Sequence, residues 1–299
     1  MRSLRVRSFA KINLYLEVRA KQPDGYHDLR TVFQTISLHD TLRLAWRGRP
    51  GIELVVSGEP ALARESPEKN LVYRAVQALR RELRIDAGVR VDLAKRIPVA
   101  RGLGGGSSDA AAALVGLLRL AGRELPLKRL TKIAASLGAD VPFFLFGGRA
   151  LGLRRGEEVY PLPDLPQRAV LLVSPRGPGV STREAYAWLD RRLTKRRRTP
   201  RLWRFCALCW SLRGAGVSND FEAAVFPRHP RLSQIKRELL RRGAAEAALA
   251  GSGSAVFGIF RSPAQARRAA QAFPSDQVFV CETLSREQYR RARLGRGAI

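Results

Sequence analysis

One stretch constrains this chain more than any other. Pro98-Val99-Ala100-Arg101-Gly102-Leu103-Gly104-Gly105-Gly106-Ser107-Ser108-Asp109 runs directly into the apolar segment Ala110–Leu120. Four of the five positions from Gly102 to Gly106 are glycine, so the backbone can take φ > 0 and approach a ligand closely. Ser107, Ser108 and Asp109 offer oxygens as caps for the helix that the following alanines favour. Glycine amides and a helix N-terminus brought to one point make an anion site, and phosphate is its usual occupant. The stretch is not a P-loop, because no Lys follows the last glycine, and it lacks the G-x-G-x-x-G spacing of a dinucleotide fingerprint. The bland alternative is a flexible linker, but linkers do not normally run straight into a capped, alanine-rich helix.

At 299 residues the chain has room for one large or two ordinary domains. No apolar run reaches the length of a membrane span, and Met1–Arg7 lacks the apolar core of a signal peptide. Three cysteines cannot make a disulfide framework, which points to a reducing, cytoplasmic setting. Cys206 and Cys209 form a C-x-x-C with no second pair, and read as packed on a helix beside Trp203, Phe205 and Trp210. The net charge of +28 suits anionic substrates, nucleic acid or acidic membranes alike and does not choose among them.

In chain order, Leu4 to Val18 alternates with period two, predicting a long strand with one buried face and Lys11 and Asn13 together on the more polar one. A turn at Gln22-Pro23-Asp24-Gly25 leads to Tyr26 and His27. Short strands are expected at 31–39, 41–46 and 52–57, an amphipathic helix over 71–84, and a strand over 89–93 that feeds the glycine loop. A helix over 126–137 should end on Gly138 as a left-handed cap. Asp140 then stands as a lone carboxylate before Phe143, Phe144 and Phe146. Composition shifts at Pro161–Pro166, which divides the chain into expected domains 1–160 and 161–299. A strand is expected at 169–174, and Ser181-Thr182-Arg183-Glu184 resembles a capping box opening the helix that carries Tyr186. Basic residues 191–204 follow, then helices around 203–212, 219–226 and 232–242. Strands at 247–250 and 255–260 are joined by Gly251-Ser252-Gly253-Ser254; a helix from Pro263, a strand at 277–281 and a fraying basic tail from Arg286 complete the reading.

Three separated segments resemble the GHMP kinases, the small-molecule kinases that include homoserine and mevalonate kinases: Ala10–Leu14, Pro98–Ser108 and Ala250–Ser254. Ala10–Leu14, Asp24–His27, Gly102–Ser108 and Leu137–Pro142 stand in the order found in one branch of that family, which phosphorylates a diphosphocytidyl sugar alcohol. Two positions depart from that branch. Arg101 replaces a small residue in the phosphate loop, and Ala250 stands where a Ser or Thr is usual.

The resemblance implies an α+β, two-domain GHMP kinase fold with the active site in the cleft between the domains. It implies ATP with Mg²⁺ as phosphoryl donor, and ATP binding by Pro98, Val99, Ala100, Arg101, Gly102, Leu103, Gly104, Gly105, Gly106, Ser107 and Ser108. Asp140 would take the proton from the attacking hydroxyl, and Lys11 would hold Asp140 ionised and orient that hydroxyl. Asn13, Tyr26, His27 and Tyr186 would bind the second substrate, with the two tyrosines stacking on a cytosine ring and His27 meeting its edge. No carboxylate cluster suggests a metal site independent of ATP. The expected partners are therefore small molecules. The reading from a different class, a nucleic-acid arm over Arg191–Arg204, rests on charge alone.

Overall fold

The computed structural model describes residues 3–23, 25–193 and 216–294. Asp24, the segment Lys195–Arg198 and the expected helix around 203–212 with Cys206 and Cys209 lie outside the described residues.

The first strand, β1 (Ser3–Lys21), forms where the alternation placed it, but from Ser8 to Val18 both of its faces are buried. It lies inside a seven-stranded sheet, between β2 (His27–Arg47) and the short β8 (Ser218–Asn219). Register shifts between Phe9 and Lys11 and between Asn13 and Tyr15 break the strict two-residue period. Ala10, Ile12 and Leu14 pack in a core shared with the second sheet, so Lys11 and Asn13 lie in the interior and not on a solvated face.

β2 is one strand of 21 residues where two short ones were expected. The break in its pattern near Asp40 marks a change of partner on one edge. Residues 29–34 pair with β5 (Arg149–Arg154), and 41–47 pair with β4 (Gly88–Ala94). β3 (Ile52–Ser57) flanks β4, and β6 (Glu158–Pro161) flanks β5. Asp40 sits where β4 ends, and its carboxylate accepts from the backbone N–H groups of Arg96 and Ile97, the latter at 2.7 Å. That clamp aims the chain into the glycine loop.

The helix Leu71–Leu83 is capped by Asn70, whose side chain accepts from the Val72 N–H at 2.9 Å. The central helix spans Gly105–Ala121, starting earlier than the sequence suggests, because Gly104 at φ 71° forms its N-cap. Ser107, Ser108 and Asp109 therefore lie inside the helix, the serines in its first turn and Asp109 just beyond, and are not its caps. The helix is apolar on nearly every side and is the centre of the first core, against Val6, Leu42, Leu44 and Val91 of the sheet. Gly138 ends the helix Leu127–Leu137 in extended backbone, φ 170°, and not as a left-handed cap. The expected fraying tail is a helix, Arg286–Leu294, held against β1 by its buried Tyr289 and Arg293. The Tyr289 hydroxyl donates to the Phe144 carbonyl at 2.5 Å, and Arg293 donates to Phe144 O and Ala111 O at 3.0 and 2.7 Å.

The second sheet is antiparallel, in the order β11 (Gln277–Glu282), β7 (Ala169–Ser174), β10 (Val256–Phe260), β9 (Glu246–Leu249). All of β7 is buried because its alternate residues serve two cores. Leu171 and Val173 face the helices Thr182–Leu193, Pro230–Arg241 and Pro263–Ala270, while Val170 and Leu172 meet β1 and β2 in the shared core. Helices and mainly antiparallel strands thus form two layered units in face-to-face contact, with a cleft of about 1010 Å³ lined by residues of both.

Candidate active site

The glycine loop meets the second sheet's loop at van der Waals range. Gly102 has φ 76°, and a Cβ there would stand 1.9 Å from the Ala250 carbonyl oxygen, so only glycine fits on both counts. The Ala255 N–H donates to Arg101 O at 3.3 Å, and the Lys11 N–H donates to Leu103 O at 3.0 Å. The loop is therefore tied on one side to β1 and on the other to the Ala250–Ser254 turn. Loss of a hydroxyl at Ala250 leaves this junction intact, since its contacts are made by backbone.

Arg101, the other departure, spans the same junction. Its guanidinium donates to Ser254 Oγ and, at 2.5 Å, to Gly177 O. Both acceptors are neutral, and burial pushes the guanidinium's pKa below its ordinary value.

At the head of the central helix Lys95 sits between two carboxylates. Its ammonium meets Asp40 and, at 2.7 Å, Asp109, while Ser8 Oγ donates to the other Asp109 oxygen at 2.5 Å. All four side chains are buried. Two acids share one cation here, so burial, opposed by Lys95 and reinforced by Asp40, raises the Asp109 carboxyl to about 7.

Lys11 and Asp140 converge in the cleft. Lys11 Nζ lies 3.5 Å from Asp140 Oδ2 and donates to Asn13 Oδ1 at 2.7 Å. Asn13 is fixed in turn by donating to Thr31 Oγ1 at 2.7 Å, and Thr31 donates to the Tyr15 carbonyl at 2.7 Å. Only 5% of the Lys11 side chain is exposed, against 31% for Asp140. The lysine is thus held rigidly from behind, and the carboxylate faces the open cleft. A hydroxyl placed against this carboxylate would lie within reach of both groups.

The far end of the cleft is aromatic. The Tyr186 ring stacks on the His27 ring at 4.8 Å and meets Phe221 edge-on at 4.9 Å. His27 Nε2 lies 2.5 Å from Asp190 Oδ1, and Lys21 Nζ lies 3.3 Å from the other Asp190 oxygen. Burial first, then the charges of Asp140 and Asp190, raises the Tyr186 phenol well above its ordinary value, so it stays protonated. Tyr26 is 55% exposed, and the Arg155 guanidinium covers its ring at 3.6 Å.

The expected catalytic, ATP-binding and substrate-binding residues, Ser108 apart, all line this one cleft, and Ser108 lies buried beside them. Sequence reasoning missed Lys95, Asp190 and Arg155. Asp190 had a signal, since it follows Tyr186 by four positions and so shares its helix face. Lys95 and Arg155 had none, because their partners come from distant strands and loops.

A cleft floored by a glycine loop at a helix N-terminus, with a lysine–aspartate pair beside the loop, is the arrangement of a small-molecule kinase. The sequence profile for the GHMP kinases N terminal domain matches residues 70–148, and that for GHMP kinases C terminal matches residues 203–278. The chain belongs to the GHMP kinase family. It is 44% identical to 4-diphosphocytidyl-2-C-methyl-D-erythritol kinase of Solibacter usitatus (strain Ellin6076), over 97% of this chain and 91% of that protein. It is 40% identical to the enzyme of the same name from Geobacter sulfurreducens, over 91% and 95%. A crystal structure of 4-(cytidine 5'-diphospho)-2C-methyl-D-erythritol kinase superposes with a TM-score of 0.77 at 33% identity, covering 94% of this chain and 99% of that one. A homoserine kinase from Cytophaga hutchinsonii shares the fold at a TM-score of 0.74 and 19% identity, over 95% of each chain.

Proposed function

We propose that this chain transfers the γ-phosphoryl group of ATP to the 2-hydroxyl of 4-diphosphocytidyl-2-C-methyl-D-erythritol, a step of the non-mevalonate route to isoprenoid precursors. The observation that carries the reading is one cleft that holds the glycine loop, the Lys11–Asp140 pair and the aromatic cluster together. Identity above 35% to enzymes of that name, over nine-tenths of the chain, supports the choice of alcohol.

In this reading the amides of Gly102–Gly106 and the central helix's N-terminus receive the ATP phosphates. Asp140 accepts the hydroxyl proton as the oxygen attacks. Lys11, pinned by Asn13, holds Asp140 in place and orients the hydroxyl. Phosphoryl transfer needs little covalent help from the protein, so positioning of this kind is most of the catalysis. Mg²⁺ bound with ATP would neutralise charge on the triphosphate. Ser107, at the head of the central helix and on the cleft wall, offers a hard oxygen suited to that ion. Residues 1–160 supply the loop and the acid–base pair, and 161–299 supply Tyr186 and the Ala250–Ser254 turn. Tyr26, His27 and Tyr186 take the cytidine, with Asp190 holding His27 in place.

Among the described residues no helix is long and apolar enough to cross a membrane, and the reading places the enzyme in the cytoplasm with small molecules as its partners. The pocket is tested by Tyr26→Ala. The expected result is a KM for the cytidylyl substrate raised at least about tenfold, as for loss of a stacking face, with the KM for ATP nearly unchanged. Equal effects on both constants would remove the assignment.

A further inference from the structure

A second cavity, of about 280 Å³, opens beside the stem of the glycine loop. It shares Lys95, Ile97, Pro98, Val99 and Arg101 with the large cleft, and the rest of its wall comes from residues the cleft does not touch, among them Glu59, Arg96, Arg176 and Phe279. Its lining carries four cations and a single acid, Glu59.

The cations are not equivalent. Lys95 is committed to Asp40 and Asp109. Elsewhere arginines pair with acids, as Arg90 does with Glu53 and Asp92 and Arg231 with Asp276. Among the described residues Arg96, Arg101 and Arg176 have no such partner within ion-pair distance. Arg101 is the costliest of them. It is partly buried, and only neutral oxygens receive its hydrogen bonds. A desolvated guanidinium with no acid beside it is destabilising, and a bound anion removes that cost.

The geometry also selects the anion. Guanidinium groups present planar, paired donors that match phosphate oxygens. A single carboxylate would leave most of the positive charge unmatched. The cavity is far smaller than the 1010 Å³ cleft, too small for a second nucleotide of the same kind. We propose that this cavity is a binding site for a small polyphosphate anion of diphosphate size, held by Arg96, Arg101 and Arg176 and adjoining the nucleotide cleft at the stem of the glycine loop. The inference does not depend on which alcohol the enzyme phosphorylates.

The test is calorimetric titration with inorganic pyrophosphate at about 0.15 M salt, where distant surface charges are screened. It is run with and without a saturating non-hydrolysable ATP analogue that fills the large cleft. Three proteins are compared: the wild type, Arg96→Ala/Arg176→Ala, and the charge-matched control Arg267→Ala/Arg268→Ala on the exposed face of helix Pro263–Ala270. Thermal melts and affinity for the analogue report folding and the state of the cleft. The expected result is a saturable site that survives the analogue. It should weaken at least about tenfold in the first variant and stay unchanged in the control. Three results would overturn the proposal: binding that vanishes when the analogue saturates, binding that the first variant leaves unchanged, or an equal loss in the control.

Discussion

Lys11 sits almost wholly out of water yet keeps a carboxylate and an amide oxygen within reach, so its charge is fixed in direction as well as in place. Asp140 is the accessible half of the pair, because its side chain is the one open to the cleft. Asp140→Asn is therefore expected to lower kcat by ~10²–10⁴-fold, the usual contribution of a positioned base, and to move the melting temperature by only a few degrees. Stopped-assay kinetics beside a melting curve check both halves. Asp109 makes a different prediction. Its folded-state carboxyl, at about 7, lies above the ordinary value of 3.8, so the folded state holds the proton more tightly than the unfolded chain does. The stabilisation is complete below about pH 4 and is lost as pH rises through about 7. The wild type should lose stability across that window relative to Asp109→Asn, which does not titrate. Parallel slopes of melting temperature against pH would refute it. Lys11, Asp140 and the glycines were legible in sequence because each lies in a compact motif. The Asp40–Lys95–Asp109 cluster was not, because its members are 55 and 14 residues apart and meet only through the sheet.

At the scale of elements, the two glycine loops work as one joint. Gly102 touches the Ala250 carbonyl, Arg101 reaches Ser254, and Ala255 donates back to Arg101. Gly102→Ala adds a methyl group to a left-handed residue that faces backbone at 1.9 Å. It should destabilise the fold by about 1–3 kcal/mol and weaken ATP-analogue binding, as read by chemical denaturation and by titration. Unchanged nucleotide affinity would mean that the joint does not shape the phosphate site. Most helices and short strands were readable because apolar period and caps agree. β2 looks like two strands in sequence because its alternation falters near Asp40, where β5 gives way to β4. The terminal helix resembles a frayed tail in sequence because it is crowded with arginine. Its signal was the pair Tyr289 and Arg293, four residues apart, which turns one face of an otherwise polar helix inward.

Across the whole molecule, the cleft exists because β1 is buried on both faces. One face packs with the central helix and the other with the second sheet, and the functional side chains emerge where its register shifts. The sequence showed this strand and its lysine but not its double burial, since period two describes one face and says nothing of a second layer. The decisive measurement is ATP consumption by the purified chain with Mg²⁺, offered 4-diphosphocytidyl-2-C-methyl-D-erythritol, homoserine and mevalonate in parallel. Turnover with the first alone is the predicted result. Turnover with either of the others in its place, or with none of the three in a folded protein that binds ATP, would contradict it.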